Sequence, residues 1–116
     1  MEDMLDKTNL QFLLEENHWL KPYLNQKKII FKQDTVNGYQ IHFSDDEIEI
    51  IYSSISQRNR AILSLTTTKH DETETSVVKD LGVMVDCSRN AVPKISTLKK
   101  FIRYLSFMGY TFLGLY

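Results

Sequence analysis

The sequence is poor in residues that would staple, anchor or charge a chain. It has one cysteine, Cys87, so no disulfide can form within it. No run approaches the roughly 20 apolar residues that a membrane-spanning helix needs. Basic and acidic side chains number 14 and 15, for a net charge of -1. That balance supplies no basic surface for nucleic acid or for an anionic membrane, and neither partner is expected. The opening Met1-Glu2-Asp3-Met4 is acidic, whereas a secretory signal starts basic and continues apolar, so none is expected. There is no glycine-rich phosphate loop, no paired-cysteine site and no histidine spacing suited to zinc; His18, His42 and His70 are scattered. No cofactor or metal is expected. At 116 residues the chain is long enough for one domain with a real core, and these features together predict a cytoplasmic protein.

What is present reads as alternating helices and strands. Residues 3 to 17 predict an amphipathic helix, with Met4, Leu5, Phe12 and Leu13 on one stripe. Pro22 disfavours helical geometry at Lys21. Trp19 and Tyr23 beside it form an apolar clamp in the simplest reading, with sugar stacking as the alternative for Trp19. Lys28-Ile29-Ile30-Phe31 is a short strand candidate. Asn37-Gly38 supplies a turn that tolerates positive φ. Tyr39 to Phe43 and Glu47 to Tyr52 both alternate apolar with polar residues around Ser44-Asp45-Asp46, the pattern of an antiparallel hairpin with one wet face. A helix is predicted from about Ser54 to Thr66, with Ala61, Ile62 and Leu65 toward the sheet and Ile55 seven residues from Ile62 on the same side. Arg58 and Arg60 are read as a solvated face rather than an anion site. The polar stretch from Lys69 to Thr75 is the best boundary in the chain, and Val77-Val78 is a candidate short strand beyond it.

The last third is a strand–helix–strand pattern. Gly82 to Cys87 and Thr111 to Tyr116 are nearly continuous hydrophobic runs, as expected of parallel strands buried on both faces. Between them Ile95, Leu98, Ile102, Leu105 and Met108 form an apolar helical stripe, opposite Lys94, Lys99, Lys100 and Arg103. Pro93 suits the first helical turn and Gly109 a left-handed cap. A right-handed crossover follows as the default.

Candidate chemistry is sparse. The acidic dipeptides Asp46-Glu47 and Asp71-Glu72 fall in a turn and a polar linker, where nothing would desolvate a carboxyl group, so both read as surface charge. Cys87 lies in an apolar strand and reads as an inert thiol. Asp86 and Arg89 stand apart, because the C-terminal end of a parallel strand is where α/β folds bind ligands. An arginine fork there can hold a hydroxyl, carboxylate or phosphate. Alternatively the two form a structural pair, with Asp86 capping the loop and Arg89 neutralising it. Position alone leaves both readings open.

The run Gly82-Val83-Met84-Val85-Asp86-Cys87-Ser88-Arg89-Asn90, followed by Pro93, Leu98-Lys99 and Met108-Gly109-Tyr110, resembles the first strand and helix of family-20 glycoside hydrolases, the β-N-acetylhexosaminidases. The stretch ahead of it, with Gly38-Tyr39-Gln40-Ile41 and Asp46-Glu47-Ile48-Glu49-Ile50, is similar to the small α/β domain that precedes the barrel in that family. The resemblance implies an α/β (α+β) chain: a helix-flanked hairpin sheet in residues 1–76, then in residues 77–116 a βαβ unit equivalent to the start of a (β/α)8 barrel. It implies that Arg89 binds hydroxyls of a terminal N-acetylhexosamine, with Asp86 more structural. It also implies substrate-assisted catalysis, in which the acetamido oxygen attacks the anomeric carbon. The family's catalytic aspartate–glutamate pair comes from a later barrel strand and has no counterpart here. The chain is therefore expected to be an inactive N-terminal piece. Its second strand runs to Tyr116 with an apolar face to cover, so self-association through that strand is the other expectation.

Overall fold

The computed structural model describes Gln11, Phe12, Glu15, residues 27–87 and residues 92–116. Gln11, Phe12 and Glu15 are helical, in line with the first predicted helix; the rest of that helix, Trp19 and Tyr23 lie outside the described residues. The fold is α+β. A four-stranded mixed sheet is built from β1 (Lys28–Gln33), β2 (Tyr39–Phe43), β3 (Glu47–Tyr52) and β4 (Glu72–Glu74), in the order β1-β3-β2-β4. Helix α1 (Ile55–Ser64) follows β3 directly. A second, two-stranded sheet holds β5 (Gly82–Val85) and β6 (Phe112–Leu115), joined through α2 (Ile95–Phe107).

The hairpin forms where the alternation places it. Ile48, Ile50 and Tyr52 of β3 face Phe43, Ile41 and Tyr39 of β2 in antiparallel register. Ser44 closes the turn twice, its N–H donating to Glu47 O and its Oγ accepting from Glu47 N. The expected hairpin sheet is enlarged by β1, which pairs with β3 in parallel and brings Ile29 and Phe31 to the same inner face. Gly38 adopts φ +98°, and a β-carbon there would lie 1.9 Å from Glu74 O. Only glycine lets β2 start so close to β4.

Against this inner face α1 packs Ala61 and Ile62, with Leu65 just past its end. These three residues are buried together with Tyr39, Ile41, Ile48, Ile50 and Tyr52, Phe43 is partly buried beside them, and α2 contributes Phe107. Phe12 stacks on Phe107 with ring centres 6.1 Å apart and meets Tyr104 edge-on at 5.9 Å.

Several expectations need correction. Val77 and Val78 form no strand, and Val77 is 94% exposed. The strand lies instead in the polar stretch taken for a linker, because an edge strand needs only backbone pairing, which β4 obtains from β2. Arg58 and Arg60 are not a solvated face. Arg58 is 1% exposed with its guanidinium 5.7 Å from the centre of the Tyr52 ring, and Arg60 is half-buried and bonded to Glu74 and to Met108 O. Ile55 is exposed rather than turned to the sheet.

The parallel β5–α2–β6 unit is as expected, and Gly109 takes the left-handed cap with φ +85°. Pro93 sits one residue ahead of the Lys94 cap, just outside the first turn. The burial differs from the expectation. The register pairs Gly82 with Phe112 and Met84 with Gly114, so each large side chain lies over a glycine of the other strand. This face is open: Phe112 is 60% and Met84 70% exposed. On the opposite face Val83, Val85 and Leu113 are half-buried, while Leu115 is 56% exposed. On α2 only Leu105 and Phe107 are buried; Ile95, Ile102 and Met108 of the predicted stripe stay exposed.

Candidate functional site

The two parallel strands end side by side, and the sequence-derived site lies at that end. Asp86 is the first residue past β5 and is exposed. Tyr116 is the first past β6. Tyr116 N donates to Val85 O at 2.9 Å, and Cys87 N donates to Tyr116 O at 2.5 Å. These two bonds extend the parallel ladder one step beyond both strands. Cys87 is a half-buried free thiol whose Sγ is 3.9 Å from Val85 O. Arg89 lies in residues 88–91, outside the described residues. The structure thus brings Asp86 together with Tyr116, a residue that no motif singled out. The signal for Tyr116 is the strand register, which puts it level with Asp86.

A second polar constellation joins α1 to β4. Tyr39 Oη lies 2.7 Å from Ser64 Oγ, 2.8 Å from Glu72 Oε1 and 2.7 Å from Glu74 Oε2. The phenol has one proton to donate and can accept from Ser64 in return. Burial chiefly, and then the two carboxylates, raise the Tyr39 pKa well above its ordinary value. Glu74 Oε1 is also paired with Arg60 Nη2, while Arg60 Nη1 donates to Met108 O at 3.1 Å. Glu72 is therefore a partly buried structural carboxylate, not the surface charge expected of the second acidic dipeptide. A phenol held neutral in this way knits elements together and is ill-suited to proton transfer near pH 7. Its sequence signal was the alternation Glu72-Thr73-Glu74, which turns both glutamates to one face.

The remaining candidates carry less. His42 Nδ1 is 3.5 Å from Asp71 Oδ2 on the open face of the sheet. The Asp71 pKa is lowered, first by the Phe43 N–H bonded to Oδ1 at 2.8 Å. Asp46 and Glu47 are exposed at the hairpin turn, and His70 is exposed; His18 lies outside the described residues. An open groove of about 480 Å³ of mixed lining runs past the start of α1, bounded by Val36, Val77 and Val78 as well as Ser54, Gln57 and Lys79. Among the described residues no group of three His, Cys, Asp or Glu is placed to hold a metal ion. Nor is any helix among them long and apolar enough to cross a membrane.

No family model matches the chain, and no curated protein matches its sequence.

Proposed function

We propose that this chain is the N-terminal portion of a β-N-acetylhexosaminidase-like glycoside hydrolase, a cytoplasmic enzyme that removes terminal N-acetylhexosamine by substrate assistance. The observation that carries the reading is the parallel β5–α2–β6 unit, with Asp86 at the C-terminal end of its first strand. That end of a strand is where barrels of this kind keep their ligands. The mixed sheet with α1 is the preceding small domain. The open Met84–Phe112 face and the exposed stripe of α2 are surfaces that further barrel strands and helices would cover. Arg89 binds sugar hydroxyls at the floor of the site, and Asp86 holds the loop that carries it. The acetamido oxygen is the nucleophile, and the carboxyl pair that orients it and protonates the leaving group belongs to a later strand. By itself the 116-residue chain hydrolyses nothing.

Two measurements test this. The purified chain should leave a chromogenic N-acetylglucosaminide intact, and turnover above background would sink the reading. Residues 82–116, grafted over the opening strand–helix–strand of an active β-N-acetylhexosaminidase, should support hydrolysis that Arg89→Ala abolishes. A grafted enzyme indifferent to Arg89 would count against the assignment equally.

A second reading is a non-catalytic module that self-associates through β6. The exposed Phe112 and Leu115 on that strand favour it, since an uncovered apolar edge strand invites pairing. Sedimentation as a monomer at high concentration would remove it.

A further inference from the structure

We propose that the open side of α2 and the groove beside it are a docking surface for an acidic amphipathic helix of a partner protein, an inference that goes beyond the glycosidase reading and does not rest on it. Charge points to the partner first. The near-neutral sequence conceals a local excess, since residues 92–116 hold Lys94, Lys99, Lys100 and Arg103 and no acidic side chain. Among the described residues none of these four is ion-paired, whereas Lys32 and Arg60 of the first region each face a carboxylate. Lys100 and Arg103 are turned to aromatic rings, 5.9 Å from the centre of Tyr104 and 4.7 Å from that of Phe12. Lys99 is exposed. It lies four residues after Ile95 and three before Ile102, which puts all three on one side of the helix.

The apolar part of the surface runs along that side. Ile95 is 74% and Ile102 47% exposed, and two turns of helix set them about 10 Å apart along its axis. Beside Ile102 an apolar groove of about 260 Å³ separates α2 from β6, lined mainly by Ile102, Leu105, Tyr110, Phe112 and Leu113. A helix laid along α2 would seat one apolar side chain in this groove, rest others on Ile95 and Ile102, and turn a carboxylate to Lys99. Amphipathic helices are recognised in grooves in this way. Other occupants fit less well. A second copy presenting the same face would set cation against cation, which opposes association. A lipid bilayer has no side chain to enter a recess.

The test titrates the 15N-labelled whole chain with a designed amphipathic helix of leucine, alanine and glutamate. The same helix with lysine for each glutamate, and vesicles of phosphatidylserine and phosphatidylcholine, serve as comparisons. The glutamate helix should shift the amides of Ile102 and Leu113, with an affinity that falls as salt is added, and the lysine helix should not bind. Lys99→Glu should lower the affinity about fivefold, while Lys100→Glu, on the Tyr104 side of α2, should hold it within about twofold. Ile102→Asp should abolish binding. Unchanged β3 amides establish that each variant is folded. Equal losses in Lys99→Glu and Lys100→Glu would mean attraction to charge at large and overturn the inference. Binding of both helices alike, of neither, or of the vesicles alone overturns it too.

Discussion

The two sheets use the same alternation of side chains to opposite ends. In the four-stranded sheet, Tyr39, Ile41, Ile48, Ile50 and Tyr52 are sealed by α1 and by Phe107, and none of the five has any exposed surface. In the two-stranded sheet, Met84, Phe112 and Leu115 are equally apolar yet largely exposed. Composition does not separate the two regions. What separates them is that the first has a helical layer on its apolar face, whereas the second leaves large apolar side chains open on both faces, Met84 and Phe112 on one and Leu115 on the other. A strand pattern states which residues share a face, and a core exists only where a partner layer meets it.

The largest expected effect breaks this comparison most directly. Ile50→Ala should cost about 3 kcal/mol through lost burial and a cavity, whereas Ile102→Ala on α2 should cost less than about 1 kcal/mol. Denaturant unfolding measures both, and equal losses would mean that the α2 face is covered in solution.

Next comes Tyr39→Phe, which leaves Glu72, Glu74 and Ser64 without their phenol and should cost about 2 kcal/mol. The pH dependence has a definite sign. The Tyr39 pKa is raised above the ordinary 10.0, so the contribution is whole below pH 10 and is lost as the pH rises through the alkaline range. Wild-type chain should therefore lose stability above pH 10 faster than Tyr39→Phe, and parallel losses would remove Tyr39 as the cause.

Arg60→Ala tests the seam between the regions, since Arg60 joins Glu74 of β4 to Met108 at the end of α2. The expected loss is about 1 kcal/mol. Hydrogen exchange should quicken in α2 while β3 stays protected; quickening in both would show that Arg60 holds the first region together instead.

The smallest effect belongs to Asp71→Asn on the open face of the sheet. The lowered Asp71 pKa means a contribution present above the ordinary aspartate range and lost as the pH falls below that range through the lowered value. The variant should fall slightly below wild type at about pH 6, and the gap should close only as the pH drops beneath the ordinary aspartate range, as read from thermal midpoints.

Much of the fold was legible because its signals are local. The Tyr39–Tyr52 hairpin, the helix through Ala61 and Ile62, the parallel unit and both positive-φ glycines follow from periodicity and turn chemistry. What escaped depends on distant partners. Strand β4 hid in a polar stretch because its inward residues, Glu72 and Glu74, meet a phenol rather than a hydrocarbon core. Arg58 is a charged side chain that a helical wheel assigns to water, yet it is buried over Tyr52. The α2 stripe was legible as a pattern, but periodicity cannot show whether anything lies against it, and Ile95, Ile102 and Met108 are exposed. At the site, Asp86 was reached from its place at a strand end, whereas Tyr116 required knowing which residue of one strand stands level with which of the other.

The reciprocal fit of Phe112 over Gly82 and Met84 over Gly114 gives the smaller sheet a single way to assemble. A slip of one residue would turn every side chain of one strand to the other face. A slip of two would set glycine against glycine and leave both large residues without a seat. Two four-residue strands joined by a long crossover have little else to keep them aligned, so these two glycines act as a key for the register. Substitution of either should be felt first as a loss of strand alignment, carrying Asp86 out of step with Tyr116 before the helix or the larger sheet is disturbed.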